Sequence, residues 1–221
     1  MYRKEVDSGP GGIHRLPIRS KDRPYPGSWS TDGENLAFVV RNRETRNDIW
    51  ILSREGRSEP FLQATFSERY PEFSPDGRWL AYASRESGRE EVYVCPYPGP
   101  GRSVQISRSG GAQPAWSHDG REVLYRSSSE VNPLISTFFA VEVKVDGNRF
   151  TPGRPQKLFE GCYQIGAPVR SYDVGLDGRF LLVKQPDETS LSLIKDKVFP
   201  TRIRIVQNWC ATLQEKIPGD G

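Results

Sequence analysis

Three cysteines, two histidines and a single methionine are all that this 221-residue chain contains of those types. Cys95, Cys162 and Cys210 are far apart, odd in number and without a Cys-x-x-Cys spacing, which argues against a disulfide framework and a zinc site. With only His14 and His118 and no Gly-x-Ser-x-Gly elbow, a Ser-His-Asp hydrolase is poorly supported. Gly99-Pro-Gly-Arg-Ser103 and Ser109-Gly-Gly111 lack the lysine and the strand-to-helix setting of a phosphate-binding loop, and read as linkers. No apolar run approaches the roughly 18 residues of a membrane span, and Met1-Tyr-Arg-Lys-Glu-Val-Asp7 lacks the apolar stretch of a secretory leader. Charge of one sign is also missing: 31 Lys and Arg against 28 Asp and Glu leave +3, too balanced to point to nucleic acid.

What the chain does have is a repeat. Trp29-Ser-Thr-Asp-Gly33, Phe73-Ser-Pro-Asp-Gly77, Trp116-Ser-His-Asp-Gly120 and, more loosely, Val174-Gly-Leu-Asp-Gly178 share one form. Their Asp-Gly pairs begin at 32, 76, 119 and 177, giving intervals of 44, 43 and 58 residues. Such a period belongs to propeller blades. Ser74-Pro75-Asp76-Gly77 has the chemistry of a hairpin tip, with proline fixing φ, aspartate bonding nearby backbone and glycine supplying a left-handed residue. The strands after each tip, Leu36–Val40, Leu80–Ala83, Val123–Tyr125 and Phe180–Val183, are apolar at consecutive positions, so both faces must be covered. A third strand follows at Asp48–Leu52, Glu91–Cys95, Phe138–Val143 and Arg202–Val206, alternating better with polar residues as toward a wetter blade rim. Weaker fourth strands lie at Glu59–Leu62, Ser103–Ile106 and Gln156–Phe159. The long third interval is assigned to a larger outer hairpin within 136–159, turning at Asp146-Gly147.

The expected fold is therefore all-β: a propeller of four-stranded antiparallel blades over 1–207, with repeat cores near 27–62, 70–107, 113–159 and 170–207. Gly12–Ile18 resembles the third strand of a further blade, so about four to five blades are present. Completion by a larger polypeptide, self-association through an open blade, and a compact four-blade ring all stay open. In 208–221, Trp209, Leu213 and Ile217 fall at i, i+4 and i+8, predicting a short amphipathic helix capped by Asn208 and stopped by Pro218-Gly219.

Tyr70-Pro-Glu-Phe-Ser-Pro-Asp-Gly-Arg-Trp-Leu-Ala-Tyr-Ala-Ser84, with Glu91–Val94, Gln105–Ser107 and Gly110-Gly111, resembles the WD-like repeats of TolB-type β-propellers. Pro60-Phe-Leu-Gln63, the Pro96–Gly101 loop and Val206-Gln-Asn-Trp209 are similar to the C-terminal propeller portion of bacterial eukaryotic-like serine/threonine kinases. The resemblance covers about residues 12–217 and implies a fold rather than a job. It also implies that the domain is often periplasmic or extracytoplasmic, although the chain carries no address of its own. It brings no kinase activity, because the Gly-rich loop, the strand lysine, His-Arg-Asp and Asp-Phe-Gly are not in the chain. His118 where proline is usual, and Gly175-Leu176 for Ser-Pro, depart from the pattern and predict looser third and fourth blades.

No catalytic, cofactor-binding or metal-binding residue is assigned, and no cofactor. His118 reads as a turn residue and His14 as an edge-strand residue. Asp32, Asp76, Asp119 and Asp177 are each alone in their turns, without the several oxygens calcium needs, so they read as turn formers. The column Trp29, Phe73, Trp116 reads as blade-to-blade packing before it reads as a stacking platform. Tyr97, Pro98 and Pro100 read as a rigid connector.

The candidate interaction site is the set of loops after each second strand, which should share one rim. It holds Arg41, Arg43 and Arg46 in the first repeat, Arg85 and Arg89 in the second, Arg126 in the third and Lys184 in the fourth. A basic rim suits a protein partner or an anionic ligand. Glu44, Asp48, Glu86, Glu90 and Glu91 lie among these cations, and against them stands the plainer reading of an ordinary mixed surface. The expected function is a non-enzymatic interaction or sensor domain of a larger bacterial signalling protein. The alternative is the propeller of a prolyl-oligopeptidase-like hydrolase whose catalytic domain lies elsewhere.

Overall fold

The computed structural model describes residues 1–4, 13–18, 24–99, 101–129, 132, 135–163, 168–184 and 203–206. Among these the regular structure is entirely strand. A two-stranded hairpin, β1 (Tyr2–Lys4) with β2 (Ile13–Arg15), precedes four antiparallel sheets. The first sheet is β3 (Tyr25–Trp29), β4 (Asn35–Asn42), β5 (Arg46–Ser53) and β6 (Ser58–Leu62) in order. The second repeats this with β7 (Glu68–Phe73), β8 (Trp79–Ser84), β9 (Glu91–Pro96) and β10 (Val104–Gln105). The third holds β11 (Ala112–Trp116), β12 (Glu122–Ser128), β13 (Ile135–Asp146) and β15 (Gln156–Cys162), with β14 (Arg149–Pro152) extending β13 into the expected outer hairpin. The fourth shows β16 (Tyr172–Val174), β17 (Phe180–Val183) and β18 (Ile203–Val206). These four sheets, each strand paired with the next, are propeller blades A to D. The helix expected over 208–217 lies outside the described residues.

Blade faces pack on one another, and this explains the unbroken apolar runs. All six residues of β8 are buried, because one face meets blade A and the other blade C. Between A and B, Ala37, Val39 and Ile49 pack with Phe73, Leu80, Tyr82 and Tyr93. Between B and C, Trp79, Ala81, Val92 and Val94 meet Trp116, Val123, Tyr125 and Val141. Between C and D, Leu124, Phe138 and Leu158 meet Tyr172, Phe180 and Leu182. Met1, Leu16 and Ile18 pack against the remaining face of blade A, at Leu36, Phe38, Val40, Trp50 and Leu52. The third strand of blade B is not the wet strand its alternation suggests: Glu91 to Cys95 are all buried. The aromatic column behaves as packing at Phe73 and Trp116, whereas Trp29 is 43% exposed because no described blade lies against it.

The innermost strands of blades A, B and C slip register midway, between Pro26 and Trp29, Arg69 and Glu72, and Ala112 and Ala115. These bulges put Tyr70 and Gln113 at positive φ, 56° and 54°. At Gly27 the first blade comes so close to the second that a Cβ would lie 2.5 Å from the Pro71 ring and 2.8 Å from its carbonyl oxygen. Only glycine permits that approach.

Candidate interaction face

The Asp-Gly tips form one rim of the ring. In each of the first three, a serine hydroxyl (Ser30, Ser74, Ser117) donates to the aspartate Oδ1 at 2.5, 2.6 and 2.7 Å, and the same oxygen accepts the backbone N–H two residues on. The serine hydroxyl holds Asp32 and Asp119 below the usual carboxylate range; in the fourth tip the Arg179 N–H does so for Asp177. These acids are occupied in shaping turns. Four arginines in or beside these turns find an acid, Arg54 with Glu34 at 2.6 Å, Arg78 with Asp76 at 2.8 Å, Arg121 with Asp119 at 3.8 Å, and Arg179 with Asp177, whereas Arg149 and Arg154 on the outer hairpin have no ion pair among the described residues. His118 is exposed in its tip, and His14 is exposed on β2.

The opposite rim is built differently. Pairing of Tyr25 with Val39, Glu68 with Ser84 and Ala112 with Arg126 brings the ends of the second strands beside the starts of the innermost ones. Arg41 is the last but one residue of β4, Arg43 lies in the β4–β5 turn, Arg85 follows β8 and Arg89 precedes β9, all exposed. Arg46, at the start of β5, is held at φ 77°. Arg108, in the linker between β10 and β11, joins them because the Arg89 guanidinium donates to its carbonyl. Among the described residues Arg41, Arg43, Arg46, Arg85 and Arg108 have no acidic partner, although Glu44 and Glu86 are exposed nearby. Lys184 is half-buried and its backbone bridges to Tyr163. Arg126 is 6% exposed: its Nε donates to Gln113 Oε1 at 3.2 Å and its Nη1 to Ser128 at 2.7 Å, and burial lowers its pKa. The structure therefore gathers Arg41, Arg43, Arg85 and Arg89 on the surface and sets Arg126 inside the sheet.

Beneath the free arginines lie acids that the sequence reading treated only as neighbours. Glu91, fully buried, accepts from the Ser107 hydroxyl, from Gly110 N at 3.0 Å and from Arg89 Nε at 2.5 Å. It ties the start of a third strand to the linker leading into the next blade. Asp48 is its counterpart in blade A, accepting from Asn42 and Gln63 side-chain amides, each at 3.2 Å. Glu68, also buried, has its pKa raised to about 7, first by burial and further by Asp48 and Glu86. The repeat carried a signal for the first two: an acid opens the third strand in both blades, at Asp48 and Glu91.

Between the strand starts opens a cavity of about 400 Å³ on the ring axis, lined by Pro26, Tyr70, Pro71, Glu72, Pro114 and Arg170, among others. Arg170, just before β16, pairs with Glu72 of β7 at 2.8 Å and with Asp173 at 3.2 Å, and donates to the Pro114 carbonyl at 3.3 Å. Burial pushes the Glu72 carboxyl up, and the guanidinium opposes it. Sequence reasoning missed this pair because its members lie in different repeats. The one available sign is that the position before the end of the innermost strand carries an acid in two repeats, Glu72 and Asp173, where the other two have Ser28 and Ala115.

No family model matches the chain. It is 31% identical over 131 residues to a putative tricorn protease homolog 2 of Streptomyces coelicolor, a match covering 55% of this chain and 10% of that protein. It is 32% identical over 94 residues to dipeptidyl-peptidase 5 of Porphyromonas gingivalis, covering 37% and 14%. The chain thus corresponds to a small part of the length of these relatives. The crystal structure of TolB from Acinetobacter baumannii superposes with a TM-score of 0.60 at 20% identity, over 78% of this chain and 40% of that one. The fold is a β-propeller similar to that of TolB, and its relatives in sequence include proteins named as peptidases.

Proposed function

We propose that the chain is a non-enzymatic interaction module of a larger bacterial protein, binding an acidic partner through the rim that carries Arg41, Arg43, Arg46, Arg85 and Arg108. The observation that carries this is the contrast between the rims. In and beside the Asp-Gly turns Arg54, Arg78, Arg121 and Arg179 are paired with acids, whereas on the other rim Arg69 and Arg89 are paired and five arginines are left for a partner. A guanidinium already engaged offers little to an anion; an exposed free one offers attraction and paired N–H donors. Membership of a signalling protein of the kinase type belongs to the same proposal and rests on the Pro60–Gln63, Pro96–Gly101 and Val206–Trp209 resemblance. A second reading, the substrate-gating propeller of a hydrolase, is favoured by the relatives named as peptidases.

Fluorescence anisotropy with a labelled decaglutamate peptide tests the rim. The chain is expected to bind it in low salt, and Arg41→Ala/Arg43→Ala/Arg85→Ala/Arg108→Ala to weaken binding at least tenfold, while Arg54→Ala/Arg78→Ala/Arg121→Ala leaves it within twofold. Equal losses from the two rims, or no binding at all, would remove the proposal.

A further inference from the structure

Where successive blades meet at the Asp-Gly rim, a cross-strand pair on the second and third strands of one blade looks toward the next blade. Its chemistry differs from wedge to wedge. Between A and B the pair is Asn35 with Ser53, and between B and C it is Trp79 with Pro96. A ring packs into each of these wedges: Tyr97, centred 4.8 Å from Phe73, and Phe150, centred 4.9 Å from Trp79. Between C and D the pair is Glu122 with Glu142. Strand residues two apart share a face, so these acids continue the face on which Leu124 and Ala140 meet Phe180 and Leu182 of blade D.

Two carboxylates placed directly opposite each other on an antiparallel pair repel, with Cβ atoms about 5 Å apart. Neither side chain has a hydrogen-bond or ion-pair partner among the described residues. Arg121 turns to Asp119, at 3.8 Å, and Lys144, next after Glu142 on that face, is exposed. Burial raises the Glu122 carboxyl above its ordinary range, and the charges of Asp119 and Glu142 raise it further. Beside the pair opens a cavity of about 500 Å³, lined by Glu122 and by Leu124, Ala140, Leu158 and Phe180. Leu176 of the fourth tip also lines it and is 79% exposed. The volume lies in the range of small-ligand sites, roughly 300–1,000 Å³. An apolar floor edged by unpaired carboxylates is complementary to a cation on an apolar body, which covers the floor with its chain and offsets the repulsion with its charge. Among the described residues no group of three or more His, Cys, Asp or Glu is placed to hold a metal ion, so the arrangement suits an organic cation better than a coordinated one.

We propose that the C–D wedge binds a small organic ammonium ion with an apolar chain, its head beside Glu122 and Glu142 and its chain over Leu124, Leu158 and Phe180. This site is independent of the basic rim, which lies at the other end of the blades and attracts charge of the opposite sign.

Isothermal titration calorimetry of the full chain in low salt, with hexylammonium, hexan-1-ol and hexanoate as probes, tests it. Hexylammonium is expected to bind at least tenfold more tightly than hexan-1-ol, and hexanoate more weakly than either. Glu122→Gln/Glu142→Gln should bring hexylammonium within twofold of hexan-1-ol, while Glu34→Gln/Glu55→Gln, on the same rim of blade A, should change its affinity less than twofold. Equal binding of hexylammonium and hexan-1-ol, equal losses from the two double variants, or no binding of hexylammonium would overturn the proposal. As a second readout, hexylammonium should raise the urea midpoint of the parent but not that of Glu122→Gln/Glu142→Gln, which loses a repulsion and no contact. A midpoint raised equally in both would count against the site as well.

Discussion

The two rims of this propeller use acidic side chains in opposite ways. On the Asp-Gly rim the acid is at the surface and acts inside its own turn: Asp76 takes the Ser74 hydroxyl, the Arg78 N–H and the Arg78 guanidinium within a five-residue stretch. On the other rim the acid is buried and acts between elements, as Glu91 does in joining β9 to the linker of the next blade. The first arrangement closes each tip on itself and, in the last three tips, neutralises its arginine. The second holds the loops from beneath and leaves their outer arginines unengaged. Water screens surface pairs and weakens them, whereas a buried acid that loses its partners, or partners that lose their acid, are costly. Stability should therefore depend on the buried acids of one rim and the tip acids of the other to very different degrees.

Glu91→Ala should show the largest effect. It strands the Ser107 hydroxyl and the Gly110 N–H, both at the base of a linker, and frees the Arg89 guanidinium. A loss of about 3–4 kcal/mol is expected by urea unfolding. Asp76→Ala, at the surface, should cost about 1 kcal/mol. Equal costs would mean that the two rims do not differ in the way described.

Glu68 sharpens the comparison through pH. Its folded pKa of about 7 lies above the ordinary 4.5, so the folded chain keeps a proton that the unfolded chain has released. Between those values stability falls as pH rises, and above the folded pKa the penalty is complete. Asp48 and Glu86 add to it, since both disfavour a second negative charge there. Glu68→Gln removes the titration. The variant should match the parent below about pH 4 and exceed it by about 3 kcal/mol at pH 8. A difference that does not change with pH would show that Glu68 is ionised throughout.

Much of this architecture was legible in the chain because it repeats. The four Asp-Gly tips, the doubly covered second strands and the hairpin turning at Asp146-Gly147 each follow from local chemistry written several times over. The rim was legible in part. Arg41, Arg43, Arg85 and Arg89 share a surface because they follow the same strand in successive blades. Arg126 follows the same rule in sequence, yet Gln113 on the neighbouring strand draws it inward, and only the bulge that turns Gln113 to positive φ makes that contact available. The pairing of Glu72 with Arg170 was not legible. It joins blades B and D around the ring axis, and no spacing along the chain measures that distance.

The smallest expected effect separates the two roles of the unengaged arginines. Arg46 occupies a left-handed conformation at φ 77°, whereas the corresponding turn of blade B meets the same need with Gly88 at φ 93°. An arginine there carries backbone strain that glycine would relieve, so Arg46→Gly should raise stability by about 1 kcal/mol. Arg46→Ala keeps the Cβ and so should show no such gain. Both variants remove one rim charge, and both should weaken decaglutamate binding to the same degree. A chain that keeps a strained arginine on its basic rim while using glycine in the next turn has placed charge ahead of stability at that position. If Arg46→Gly binds as tightly as the parent, strain and charge at this site are unrelated, and the case for the rim rests on its four other arginines.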